Sequence, residues 1–175
     1  MTDTRLYIGI DNGATGTIGM ISPCGYVMYE TPVEKRLNYT KKKQFISMLD
    51  IFEFQKIIQY FITESVSGWE RIGRLIAILE RPLVNPQMFT ATMNAVRLMQ
   101  SQITILEMMD IPYMFIDSKE WQRVMLPEGT KGTPELKLTS KDVGIRLFPE
   151  CRDIITKHKD ADGLLIAEYA RRKGL

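Results

Sequence analysis

The sequence predicts an α/β domain with a mixed sheet flanked by helices. Three observations carry that prediction. Three short β-rich runs follow one another at the start of the chain: Leu6 to Ile10, a second ending at Ser22, and Tyr26 to Val33. This order suggests an antiparallel meander. The run from Arg74 to Glu80 is continuously apolar between its charged ends, as befits a central, parallel strand buried on both faces. A long amphipathic stretch from Phe89 to Met109 then leads into another short run, Ile111 to Ile116. Strands, helix, strand, helix, strand and helices in that order give a layered α/β architecture. At 175 residues, positions 1–175 fit one domain with a sizeable core.

The first two runs meet at Asn12-Gly13, the pair that favours a type I′ hairpin turn because both central residues need φ > 0. Asp11 sits just before it. A carboxylate at a rigid strand end, among small residues, is well placed to hold a metal or a phosphate; Asp also simply favours turns. Pro23 to Gly25 connects to the third run, and the lysine-rich segment up to Lys43 has no periodicity and reads as a loop. Asp50 and Glu53 resemble a capping box. The helix they open places Phe54, Ile57, Ile58, Phe61 and Ile62 on one face and ends near Ser67-Gly68.

After Glu80, Pro82 and Pro86 force a loop. The long helix carries Met93, Val96, Gln100, Ile103 and Glu107 on one side, and Leu98, Met99, Ile105 and Leu106 widen its apolar surface. Ser118 caps a short helix through Leu126, and Pro127 to Pro134 has the composition of a mobile loop. Thr139 or Ser140 starts another helix closed by Phe148-Pro149. The last helix, from about Asp160 to Arg172, carries Leu164, Leu165, Ile166 and Ala167 and ends in basic residues that suit its dipole.

Composition narrows the class. The chain is 45% hydrophobic and 25% charged, as ordinary globular proteins are. No apolar run approaches the roughly 20 residues that span a membrane, and the N-terminus lacks the layout of a signal peptide. Cys24 and Cys151 stand far apart, which suggests neither a disulfide framework nor a zinc site. A reducing, cytoplasmic compartment is the expectation. The net charge of +2 says little, but the cations cluster. Lys35, Arg36, Lys41, Lys42 and Lys43 form one group, Lys131 to Lys159 is enriched, and Arg171, Arg172 and Lys173 end the chain. Such clusters are commonly solvated faces, yet flanking an acidic site they suit a phosphate backbone.

Acidic residues fall at the ends of these elements. Asp11 ends the first strand, Glu80 ends the central strand, and Asp160 and Asp162 open the last helix. If the two strands are neighbours, the carboxylates gather at one place and repel unless a cation sits among them. Oxygen-only ligands select Mg²⁺ or Mn²⁺, and two such ions about 3.5–4 Å apart serve in-line displacement at a phosphodiester. Taken singly, each acid is equally a strand exit or a helix-start residue. Their combination is harder to assign to chance.

Ile8-Gly-Ile-Asp-Asn-Gly-Ala-Thr-Gly16, Ala77-Ile-Leu-Glu-Arg-Pro82, Trp121-Gln-Arg123, Leu147-Phe-Pro149 and Ala161-Asp-Gly-Leu-Leu-Ile-Ala-Glu-Tyr-Ala-Arg171 together resemble the RuvC-like Holliday-junction resolvases of the RNase H-like superfamily, in a phage-type version. The resemblance implies an RNase H-like fold with a five-stranded mixed sheet, a three-stranded antiparallel meander plus two parallel strands. It implies a Mg²⁺-dependent endonuclease, with Mn²⁺ able to substitute, that uses two ions per site and acts as a homodimer on four-way and other branched DNA. Asp11, Glu80 and Asp162 match the metal-binding carboxylates. The fourth acid departs from the pattern: Lys159 and His158 stand where relatives place it. Asp160 is the first choice on charge chemistry, with His158 next as ligand or proton shuttle. Lys137 resembles a lysine that contacts the scissile phosphate, and Lys131 is a second candidate. Lys41, Lys42 and Lys43 would hold DNA, and Leu83, Met88 or Phe89 would wedge open the junction centre. The long helix from Phe89 is the candidate dimer face.

Three other readings compete. A nuclease of the same fold could act on RNA or an RNA–DNA hybrid. Asp11-Asn-Gly-Ala-Thr15 also fits the phosphate hairpin of actin-like or sugar-kinase ATPases, which need two such cores. A noncatalytic DNA-binding module would not require all three carboxylates.

Overall fold

The computed structural model describes residues 5–38, 43, 45–65, 75–158 and 160–175. Its main sheet is built from β1 (Leu6–Ile10), β2 (Thr17–Ser22), β3 (Gly25–Glu30), β6 (Leu75–Glu80) and β7 (Tyr113–Ile116). Between β3 and β6 lie β4 (Val33–Leu37), β5 (Phe45–Leu49) and helix α1 (Ile51–Ser65). Helix α2 (Phe89–Met108) precedes β7, and α3 (Ser118–Met125), α4 (Thr133–Leu147), α5 (Arg152–His158) and α6 (Asp162–Lys173) follow it.

The five strands lie in the order β3-β2-β1-β6-β7. β1 runs antiparallel to β2 and β2 to β3, whereas β1 with β6 and β6 with β7 are parallel. The expected meander plus two parallel strands is therefore present. Its alternating side chains feed two cores. Leu6, Ile8, Ile10, Ile18, Met20, Ala77 and Leu79 pack with Phe54, Ile58, Leu98 and Leu106 of α1 and α2. Tyr7, Ile21 and Ile78 pack on the other face with Trp121, Val143, Leu164 and Leu165. Both cores are closed, so all of β1 is buried.

Helix α6 lies directly on β1 and β2 because glycines remove the side chains between them. Gly9 and Gly19 face each other across the strand pair. A Cβ on Gly9 would stand 2.2 Å from the Gly163 carbonyl oxygen, and one on Gly19 2.2 Å from the Leu164 nitrogen. Gly19→Ala is expected to lower stability by about 1–3 kcal/mol through overpacking, read as a lower denaturant midpoint at unchanged slope.

The structure corrects several sequence expectations. The β1–β2 connection is not a two-residue type I′ turn. It runs from Asp11 to Gly16, and neither Asn12 nor Gly13 has positive φ. Asp11 N–H donates to the Thr17 carbonyl at 2.9 Å, and Gly16 N–H to that of Gly13 at 3.1 Å. Asn12 is drawn away from turn chemistry by its side-chain bond to the Ala95 carbonyl at 3.3 Å. The lysine-rich segment is not a simple loop: β4 and β5 form a separate antiparallel ribbon. Val33 belongs to that ribbon, and the third strand stops at Glu30.

The fourth helix begins at Thr133 rather than near Ser140, with Pro134 tolerated in its first turn. Asp117, not Ser118, is the N-cap of α3, without a side-chain capping bond. Helix α5 was not expected. The capping bond at α1 is present, Glu53 N–H to Asp50 Oδ1 at 3.0 Å. The expected end of that helix at Ser67-Gly68, like Lys41, Lys42 and Lys159, lies outside the described residues.

Candidate metal centre

Parallel pairing of β1 with β6 places Ile10 opposite Leu79, so Asp11 and Glu80 leave the same end of adjacent strands. Helix α6 begins at Asp162 and is pinned there by Gly163 N–H donating to Thr17 Oγ1 at 2.9 Å. Asp160 lies just before the helix and is wholly buried. A helix that starts only at Asp162 lets a residue two positions earlier face the same place. One carboxylate oxygen from each of Asp11, Asp160 and Asp162 falls within 4.8 Å of the others. Glu80 is not in that trio, but its charge reaches Asp11.

Each acid is held by its surroundings. Trp121 Nε1–H donates to Glu80 Oε2 at 2.8 Å. Ser140 Oγ donates to Asp162 Oδ1 and accepts from Ala161 N–H at 3.1 Å, so this buried hydroxyl ties α4 to the start of α6. Lys137 Nζ lies 3.0 Å from Asp160 Oδ2. His158 Nδ1 lies 3.3 Å from Asp160 Oδ1. That approach is off hydrogen-bond geometry, and both atoms are buried without a hydrogen-bond partner.

The electrostatics follow from the crowding. Burial, then the charges of Asp162, Glu80 and Asp160, hold the Asp11 carboxyl well above the usual range, against the pull of Lys137. Burial and Asp160 push Asp162 to about 6 despite the Ser140 hydrogen bond. Burial raises Glu80 to about 7 although the Trp121 hydrogen bond opposes it. For Lys137 burial disfavours the charged form, but the Asp160 hydrogen bond and the nearby aspartates outweigh it and raise the pKa. A hard dication fits this donor set. It would neutralise the mutual repulsion and give the orphaned Asp160 Oδ1 a partner.

No family model and no curated protein sequence matches the chain. Solved structures do. A structure of T. thermophilus RuvC in complex with Holliday junction substrate aligns with a TM-score of 0.50 at 12% identity, over 97% of this chain and 96% of that one. A Thermus thermophilus RuvC structure aligns at 0.51 and 12% identity, over 97% of each chain. The fold is RuvC-like.

The RuvC-like fold confirms the RNase H-like class expected from the sequence. Within it, Lys43 and Lys131 are exposed, and Lys131 lies just before α4. Leu83, Met88 and Phe89 are exposed at 84%, 58% and 69% in the segment between Glu80 and the start of α2, free for contact. Helix α2 gives Leu98, Ile103, Ile105 and Leu106 to the core, leaving Met93 and Val96 half-buried. Sequence reasoning assigned no role to Trp121 or to the Ser140 hydroxyl. Neither bond has a local signal, because each partner lies at least 22 positions away.

Proposed function

We propose that the chain is a divalent-metal-dependent endodeoxyribonuclease that resolves four-way DNA junctions and other branched DNA. The observation that carries this reading is the trio Asp11, Asp160 and Asp162, with its orphaned buried oxygen, at the carboxylate end of a RuvC-like sheet. One of the similar RuvC structures holds a Holliday junction substrate, which favours DNA over RNA as the substrate.

In this reading Asp11, Glu80, Asp160 and Asp162 hold Mg²⁺, or Mn²⁺ in its place, two ions per site. When bound, the metal supplies activation of water and stabilisation of the departing 3′ oxygen at a phosphodiester. Asp11 lies among the other acids and would be the ligand common to both ions. Lys137, with its side chain half exposed, pairs with Asp160 and would present its ammonium group toward the scissile phosphate. His158 stands beside Asp160, where it can carry a proton away from the site. Lys41, Lys42, Lys43 and Lys131 add sequence-independent affinity that falls with salt. The two-fold symmetry of a four-way junction calls for a homodimer, with the uncovered side of α2 as its face. Among the described residues no helix is long and apolar enough to cross a membrane, and the bacterial or phage-infected cytoplasm is the compartment proposed.

The test is incubation with a labelled four-way junction, a linear duplex and an RNA–DNA hybrid, with Mg²⁺ and with chelator. Paired nicks in the junction that need metal are expected. Equal cutting of plain duplex, or preferential cutting of the hybrid, rejects the junction reading. Trp121→Phe keeps the packing but removes the Glu80 donor. It is expected to weaken apparent Mg²⁺ affinity about 10–100-fold, as loss of outer partners commonly does, measured by metal titration of thermal stability and of cleavage.

A further inference from the structure

Lys35 and Arg36 of the β4–β5 ribbon belong to a cation cluster in the sequence, but neither the sequence reading nor the catalytic proposal gives a role to the ribbon's apolar residues Leu37 and Phe45. Both its strands are rooted at the carboxylate end of the main sheet. β3 ends opposite Thr17, the first residue of β2. Thr31 N–H then donates to the Gly16 carbonyl at 2.9 Å, and Asp50 N–H to that of Pro32 at 3.0 Å. A Cβ on Gly16 would stand 3.2 Å from Asp11 Oδ2, so the root adjoins the candidate metal site.

The two faces of the ribbon differ. Strand alternation and the pairing Arg36↔Ile46, Leu37↔Phe45 and Lys35↔Ser47 separate them. On the inner face Ile46 is buried and Arg36 is ion-paired with Glu34. The other, outer face is buried at the ribbon's root, through Leu49, but toward the tip it is open and carries Lys35, which has no ion pair among the described residues, and the cross-strand pair Leu37–Phe45. Those two side chains are 53% and 71% exposed. Exposed Lys43 stands two residues before Phe45. An aromatic flanked by free cations is the combination that binds unpaired bases, by stacking on the ring and charge on the backbone. Bases become available in that way at the centre of a branched molecule.

We propose that the outer face of the β4–β5 ribbon docks DNA beside the branch point, with an exposed base stacked on Phe45 and Lys35 and Lys43 against the adjoining phosphates. This rests on the endonuclease reading but is tested by binding, which does not require cleavage. The probe is a four-way junction carrying 2-aminopurine at the branch point, titrated in Ca²⁺, with wild type, Phe45→Ala, Phe45→Tyr and Lys35→Glu. Wild type should quench the probe. Phe45→Ala should abolish the quenching and weaken affinity about tenfold, from a stack worth about 1–3 kcal/mol, while Phe45→Tyr retains both. Lys35→Glu should weaken binding and flatten its salt dependence. Phe45 is mostly exposed, so its variants should unfold at the wild-type temperature.

Unchanged affinity and quenching in Phe45→Ala overturns the proposal. So does a shift from dimer to monomer with DNA affinity intact, which assigns the face to a second copy of the chain. Phe45-dependent binding without Mg²⁺-dependent cutting instead overturns the nuclease reading and leaves the ribbon as a docking surface.

Discussion

Asp11→Asn is expected to reduce junction cleavage by at least about 10³-fold while leaving junction binding within a few-fold of wild type. Loss of a charged group that acts on the transition state has a cost of that order. Burial, and after it three acidic neighbours, hold this carboxyl well above its usual range, a strain that a dication would relieve. An amide of the same shape keeps an oxygen but supplies no charge. The fold should survive, because Asp11 contributes its backbone N–H to the Thr17 carbonyl, and that bond is unaffected by the substitution. The same variant should be more stable than wild type without metal at neutral pH, since a repelling buried charge has gone. Cleavage within tenfold of wild type would remove Asp11 from the centre of the mechanism.

That expectation separates what was legible in the sequence from what was not. The central strand was readable because Leu75 to Leu79 has no polar interruption. The acids were readable because they sit at element ends, where a sheet must deliver them to one place. Asp160 was readable only through charge chemistry, and the late start of α6 at Asp162 is the local geometry that lets it join Asp11 and Asp162.

What was hidden depended on distant partners. Asn12-Gly13 carried a local turn signal, but the Asn12 side chain bonds α2 instead. The charged run Glu34-Lys35-Arg36 obscured the strand pattern of β4, which leaves only Val33 and Leu37 as apolar residues at its two ends. Trp121 entered the sequence reading only as part of a motif, and the structure buries it fully. That its indole N–H also steadies Glu80 follows from the packing of α3 against the end of β6. Gly9, Gly19 and Gly163 carry no packing signal in the sequence, yet their missing side chains are what lets α6 lie on the sheet and deliver Asp162.

Without metal, the melting temperature is expected to fall as pH rises from about 5 to 8, and Mg²⁺ should reverse the fall. The carboxyls of Glu80 and Asp162, at about 7 and about 6 in the fold, lie above their ordinary values of 4.5 and 3.8. Asp11 is raised as well. The folded state therefore binds more protons than the unfolded chain between about pH 4 and 7, and stability declines across that window. Their contribution is whole below the unfolded pKa values and is lost as pH passes through the folded ones. At 1.36 kcal/mol per unit, Glu80 and Asp162 together lose on the order of 6 kcal/mol. Glu168 acts with the opposite sign. Its carboxyl is depressed, burial being outweighed by hydrogen bonds from Arg171 and Arg172. Its stabilisation is therefore present above its unfolded pKa and lost on further acidification, which sets the optimum near pH 5.

Metal bound only by the folded state adds stability as RT ln(1 + [M]/Kd), and it binds most tightly where the acids are ionised. The gain from Mg²⁺ should therefore be large at pH 8 and small at pH 5. Thermal melts with chelator and with millimolar Mg²⁺ at both pH values check this. A metal-free melting temperature that rises toward pH 8 would show that these carboxyls are solvated in the folded protein and do not repel one another.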